Sequence, residues 1–125
     1  MLTPKSDEIK KQSKTVLIIA SLIVFFVAQA IAWIQINGQF ISPWIKEHPL
    51  LMSLLGVPIS YLLMLATNYA YVGLDNRIWP GRLLAFAVGI LVFTLFTALF
   101  LKEGITIKTA ISLGLAAALI LLQLF

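Results

Sequence analysis

Four long stretches of this chain are apolar and carry formal charges only at their edges, and no other feature restricts the fold so severely. They cover approximately Thr15 to Ile36, Leu50 to Val72, Arg82 to Leu101 and Ile107 to Phe125. A bilayer core about 30 Å thick needs roughly 20 apolar residues of helix per crossing, so each stretch is long enough to span. The strands of a membrane barrel would alternate in segments of about ten residues. Continuous runs such as "FAVGILVFTLFTALFL" do not alternate. Composition agrees, because 61% of the 125 residues are hydrophobic, against about 45 to 50% in a soluble domain. The expected fold is an all-α membrane protein, a four-transmembrane-helix bundle (15–36, 50–72, 82–101, 107–125) with short loops, behind a basic N-terminal segment of residues 1–14.

The lead "KKQSKTVLIIASLIVFFVAQA" also has the form of a secretory leader, with A-x-A at Ala28 to Ala30. The apolar pattern continues to Ile36, so it is read as a membrane helix. Orientation follows from the lysines and arginines near helix ends. Lys5, Lys10, Lys11, Lys14, Arg77 and Arg82 fall on one side, and Lys46, Lys102 and Lys108 on the other. Six against three predicts that both termini are cytoplasmic. The net charge of +4 then reflects topology and contact with anionic lipid, and nucleic acid is not expected as a partner.

Local signals mark the ends of the stretches. In "RIWPGR", Pro80 suits a first helical turn, where its missing donor would be unpaired anyway. Trp79 suits the membrane interface, and Arg77 and Arg82 can reach headgroups. "KEGITIK" predicts a tight turn punctuated by Gly104, with Thr106 able to cap the last helix. Pro58 removes one backbone donor within the second stretch and predicts a kink or a packing site.

Helices in lipid associate through close packing, and small residues spaced by four let backbones approach. Gly81, Ala85 and Gly89 form one such ladder, and Ala110, Gly114 and Ala118 another, both read as packing or oligomer faces. Soluble-type chemistry has little to work with. There is no cysteine, and the single histidine, His48, lies in the loop "KEHPL". No nucleophile with a plausible base stands at membrane depth, so neither an enzyme, a metal site nor a cofactor is expected.

The intramembrane polar residues are few. Gln29 has Phe25 and Phe26 one turn before it and Trp33 one turn after, which suits the lining of a small site. Taken alone, an amide there more often makes an interhelical hydrogen bond, worth about 1 kcal/mol or less. In the second stretch Tyr61, Leu65 and Asn68 share a stripe with Tyr71 or Val72. Gln29, Trp33, Tyr61, Asn68 and Trp79 are the candidate substrate-binding residues.

Three segments carry a resemblance to a known family: "VAQAI", "AYVGLDNRIWPG" and "FLKEGITIKTAISLGLAAALILLQLF". In that order and spacing, over residues 25–125, they resemble the small multidrug resistance family of the drug/metabolite transporter superfamily, four-helix membrane proteins that transport as dimers. The resemblance implies that Gln29 stands at the family's coupling carboxylate. Trp79 would match its substrate-contacting tryptophan, Gly81 the glycine that follows, and Ala118 a dimerisation glycine. An amide does not titrate in the physiological range, so a carboxylate proton switch is not expected here. The chain is therefore expected to be a small, dimeric, transporter-like protein of a bacterial-type inner membrane, moving a neutral or amphipathic solute. The alternative is a non-transporting subunit packed against a larger membrane complex.

Overall fold

A computed structural model describes the backbone of residues 4–124 and the side chains of residues 13–119 and 121–122. The first three residues of the basic segment and the expected helix end at Phe125 lie outside the described residues. The elements are α1 (Pro4–Asn37), a 3-10 turn (Gly38–Phe40), α2 (Pro43–Glu47), α3 (Pro49–Ser53), α4 (Gly56–Gly73), α5 (Ile78–Phe100) and α6 (Ile107–Leu124). The described residues contain no strand. Three helical stretches are long and apolar enough to cross a membrane: Ser13–Phe40, Pro49–Gly73 and Ile78–Phe100. Ile107–Leu119 adds a shorter apolar helix. Large apolar side chains such as Ile23, Leu50, Leu91 and Leu122 are exposed around the outside, a surface that water would not tolerate and lipid does. The protein is an all-α integral membrane protein.

Several boundaries differ from the sequence expectation, each for a local reason. α1 starts at Pro4, so most of the basic segment forms the first turns of the same helix. Its 34 residues extend about 51 Å at 1.5 Å per residue, longer than the hydrocarbon layer. The second stretch is interrupted at Leu54 and Leu55, between α3 and α4. Pro58 is the cause, because it donates nothing to the carbonyl four residues earlier and its ring crowds that group. Leu54 instead accepts the Val57 amide at 3.3 Å, in the tighter 3-10 pattern. α5 begins at Ile78, which puts Pro80 within its first turn behind an extended Arg77.

The turn after α4 uses no glycine. Asp75 and Asn76 both take φ of 59°, and the Asn76 amide donates to the Tyr71 carbonyl at 2.8 Å, closing the helix in the Schellman pattern. Aspartate and asparagine tolerate this left-handed backbone better than other non-glycine residues. Gly73, just before the turn, is helical and buried. A Cβ there would lie 2.9 Å from Ile18 Cγ1 and 3.1 Å from the Lys14 carbonyl oxygen, so glycine at 73 lets α4 close on α1. After α5 it is Lys102 that turns left-handed, with φ of 55°. Gly104 stands in open space. Thr106 caps α6, its Oγ1 accepting the Thr109 amide at 3.2 Å.

α1 is the centre of the packing, lying along α4 and against α5, with α6 held chiefly by α5. Lys14 Nζ pairs with Asp75 Oδ1 at one end, and Gln35 Nε2 donates to the Met52 carbonyl at 3.1 Å at the other. α1 and α4 therefore run antiparallel. Phe25, Trp33, Ala66, Ala70, Val88 and Val92 form the buried core. Ala66 and Ala70 are small enough to bring the helix backbones close. In lipid that closeness, rather than expulsion of water, is what holds helices together.

Candidate functional site

A cavity of about 950 Å³ lies between α1, α4, α5 and α6, within the size range of small-molecule sites. Each helix contributes a stripe at helical spacing. α1 supplies Phe25, Gln29, Trp33 and Asn37, and α5 supplies Arg82, Phe86, Gly89 and Phe93. Leu63 and Thr67 close the α4 side, and Thr109, Ser112, Leu113 and Ala116 the α6 side. On α5 the lining reaches from Ile78 to Thr94, about 24 Å at the helical rise of 1.5 Å per residue. The cavity therefore follows most of the thickness of a bilayer core.

Gln29 sits near its middle. A Cβ at Gly89 would lie 3.3 Å from the Gln29 amide carbon and 3.4 Å from its oxygen and nitrogen, so Gly89 leaves the room that this side chain fills. Gln29 is half-buried and makes no hydrogen bond to another described residue. Leaving an amide unpaired in an apolar medium costs several kcal/mol. The geometry offers one donor group and one acceptor to whatever enters the cavity. Two hydroxyls of the lining are occupied: Thr67 donates to Leu63 O at 2.6 Å and Ser112 to Lys108 O at 2.9 Å.

Trp33, 4% exposed, is fixed from the other direction. Its Nε1 donates to Thr97 Oγ1 at 3.1 Å. Its ring meets Phe96 edge-on at 5.6 Å and Phe100 at 5.8 Å. Both the polar and the apolar parts of this indole are satisfied, so it forms a rigid wall.

The remaining candidates sit elsewhere. Asn68 lines a second, smaller hollow of about 510 Å³ with Met64, Tyr71, Arg77 and Gly81. Tyr61 is 66% exposed and Trp79 70% exposed, and neither lines either of these two hollows. The stripe of Tyr61, Asn68, Tyr71 and Val72 faces outward, with Leu65 half-buried beside it. Of the ladders, Gly81, Ala85 and Gly89 face inward, a Cβ at Gly81 meeting Ala70 Cβ at 3.3 Å. Ala110, Gly114 and Ala118 are exposed.

Arg82 carries the one formal charge among the described lining residues. The sequence reading placed it at a headgroup. Its spacing of four, seven and eleven from Phe86, Gly89 and Phe93 was the signal that could have put it on the cavity stripe. Asp75 is the one described carboxylate in an ion pair. The hydrogen bond from Lys14, then the charges of Lys14 and Arg77, hold it below the usual carboxylate range. No group of three or more histidine, cysteine, aspartate or glutamate residues placed to hold a metal occurs among the described residues. His48 stacks on Trp44 with ring centroids 4.4 Å apart, and its Nδ1 lies 2.6 Å from the Trp44 carbonyl oxygen.

The fold and cavity define a class, a helical membrane protein with a cavity between its helices. Beyond that class, no family model matches the chain, and no curated protein or solved structure matches it either.

Proposed function

We propose that this chain is a small transporter-like protein that moves a neutral or amphipathic solute along the cavity without a carboxylate proton switch. In this reading four helices span a bacterial-type inner membrane with both termini cytoplasmic, and the chain works as a dimer. The observation that carries it is the cavity's length, about 24 Å along α5 at the helical rise, together with a neutral amide at its centre. A structural helix bundle has no use for an unpartnered amide beside a channel-like void. A neutral amide there can bind a solute as donor and acceptor without holding a fixed charge. The resemblance to the small multidrug resistance family supports the same reading, with Gln29 at the position of the family carboxylate.

A second reading has its own observation. α6 is held chiefly by α5 and presents Ala110, Gly114 and Ala118 outward, with nothing within 4 Å of a Cβ built at Gly114. Such a face would also serve an accessory subunit docked on a larger complex. Purification separates the two, since a self-contained dimer favours transport and firm association with a different membrane protein favours the accessory role.

Because the chain has no cysteine, single cysteines can test transport directly. Gln29→Cys in sealed proteoliposomes should react with a membrane-impermeant thiol reagent added from either face, as a site with alternating access requires. Leu91→Cys, exposed on the outside of α5, should react from neither. Labelling of Gln29→Cys from one face only would overturn the transporter reading.

A further inference from the structure

We propose that the cavity selects an amphipathic anion, a solute with one phosphate or carboxylate head and one apolar chain, with Arg82 binding the head. This rests on the transporter reading above and assigns its substrate class. Arg82 lies on the first turns of α5, at the cavity's end. It makes no ion pair with a described residue, since the one salt bridge among these joins Lys14 to Asp75. No carboxylate appears among the described lining residues. Arg77 stands at the adjoining smaller hollow, which shares Leu63, Thr67 and Ile78 with the main cavity. Its Nε donates only to the Leu74 carbonyl, at 3.2 Å. The two cations therefore stand at two adjoining, mainly apolar hollows, both near the start of α5.

A guanidinium stays charged at every accessible pH and presents a planar fork of donors that fits a carboxylate or phosphate. From Arg82 the stripe continues through Phe86 to Gly89, where Gln29 stands. That is about 10 Å along the helix at its rise of 1.5 Å per residue. Phe25, Phe86, Phe93 and Trp33 offer aromatic walls to the chain of such a ligand, and Gln29 can bond to a polar group at its middle. A cationic amphiphile would meet the same walls with a like charge at the mouth and no carboxylate to offset it. The selectivity is thus set by the sign of one side chain.

The same head chemistry occurs on a free amphiphile and on an anionic lipid, and one titration addresses both. The protein carrying Trp44→Phe and Trp79→Phe, reconstituted in phosphatidylcholine, reports through Trp33 alone. Dodecyl phosphate should change that fluorescence saturably, and more tightly than dodecyl maltoside or dodecyltrimethylammonium. Arg82→Gln should weaken dodecyl phosphate by about tenfold or more, the loss of a charge-assisted hydrogen bond. Arg82→Lys should recover much of it. Phosphatidylglycerol added to the bilayer identifies the source: competition with dodecyl phosphate marks the lipid as an occupant, and its absence marks a free anion. Equal binding of the three amphiphiles, unchanged in Arg82→Gln, would overturn the anion assignment and leave the transporter reading standing. If no amphiphile perturbs Trp33 while Gln29→Cys still labels from both faces, the amphiphile class itself is wrong. If neither occurs, the transporter reading falls with it.

Discussion

The α1–α4 pair and the α5–α6 hairpin are both made of apolar helices, yet they are held in different ways. Where α1 meets α4, small residues are consumed inside the chain. Gly73 lies under Ile18 and the Lys14 carbonyl, and Ala28, Ala66 and Ala70 are fully buried. On α6 the equivalent ladder is unspent, since Ala110, Gly114 and Ala118 face outward. α5 stands between the two, with Gly81 against Ala70 and Gly89 under Gln29. A small-residue ladder therefore marks close approach without saying to what. The inner ladders build the monomer and its cavity, and the outer one is left for lipid or for another chain.

The largest expected effect breaks the inner contact. Gly73→Ala places a methyl group 2.9 Å from Ile18 Cγ1 and 3.1 Å from a backbone oxygen. Ile18 can move aside and the carbonyl cannot, so the variant should lose about 1 to 3 kcal/mol, the usual cost of overpacking. Gly73→Leu should fail to give a monodisperse protein in detergent. Unfolding measured by denaturant titration of the Ala variant checks the magnitude, and an unchanged midpoint would remove the tight α1–α4 contact.

A smaller effect separates the outer ladder from the inner one. Gly114→Leu should leave the unfolding midpoint within about 0.5 kcal/mol, as for other surface changes, because its Cβ meets nothing. It should lower the yield of chemically cross-linked dimer or partner complex. Leu113→Ala, which faces the cavity, should change cross-linking less. Equal loss in both variants would show that the ladder is not an interface.

The smallest effect concerns the Lys14–Asp75 pair that ties the start of the α1 span to the α4–α5 turn. Its side chains are half or more exposed, 50% and 63%, so screening by water and salt keeps its contribution small. Asp75 titrates below its unfolded value of about 3.9, so any stability it adds is complete above that value and is lost as pH falls through the folded one. Asp75→Asn keeps a residue tolerant of φ near 59° and removes only the charge. The difference in thermal midpoint between this variant and the parent should be slight at pH 7. It should shrink in 1 M salt and disappear once acid has protonated Asp75 in the folded protein, at a pH below the usual carboxylate range. A difference that persists in acid would assign the effect to the turn backbone.

Much of the helical layout was legible because each boundary is a local event. Pro80 in the first turn of α5, the Thr106 cap and the Pro58 interruption follow from groups that a residue has or lacks. Gly104 looked like the turn-former beside Thr106, yet Lys102 took the left-handed position, because a turn between antiparallel helices can be closed from either flank. Among the candidate site residues, Gln29 and Trp33 share one face with Phe25, and all three line the cavity. Tyr61 is a candidate through its stripe with Leu65 and Asn68, and Trp79 through its match to the family tryptophan, and neither a stripe nor a match says which way a side chain points.

The sequence by itself determined the all-helical membrane class, because runs of uncharged apolar residues leave the backbone no solvent and so demand internal hydrogen bonds. It also determined where those runs stop. Only the tertiary structure decided which face of each helix is spent on its neighbours. Lipid is as apolar as leucine, so hydrophobic pattern cannot tell an inward side chain from an outward one in a bilayer. That choice was made by fit: Gly73 under Ile18, Gly89 beneath the Gln29 amide, and Arg82 among the residues that line the cavity.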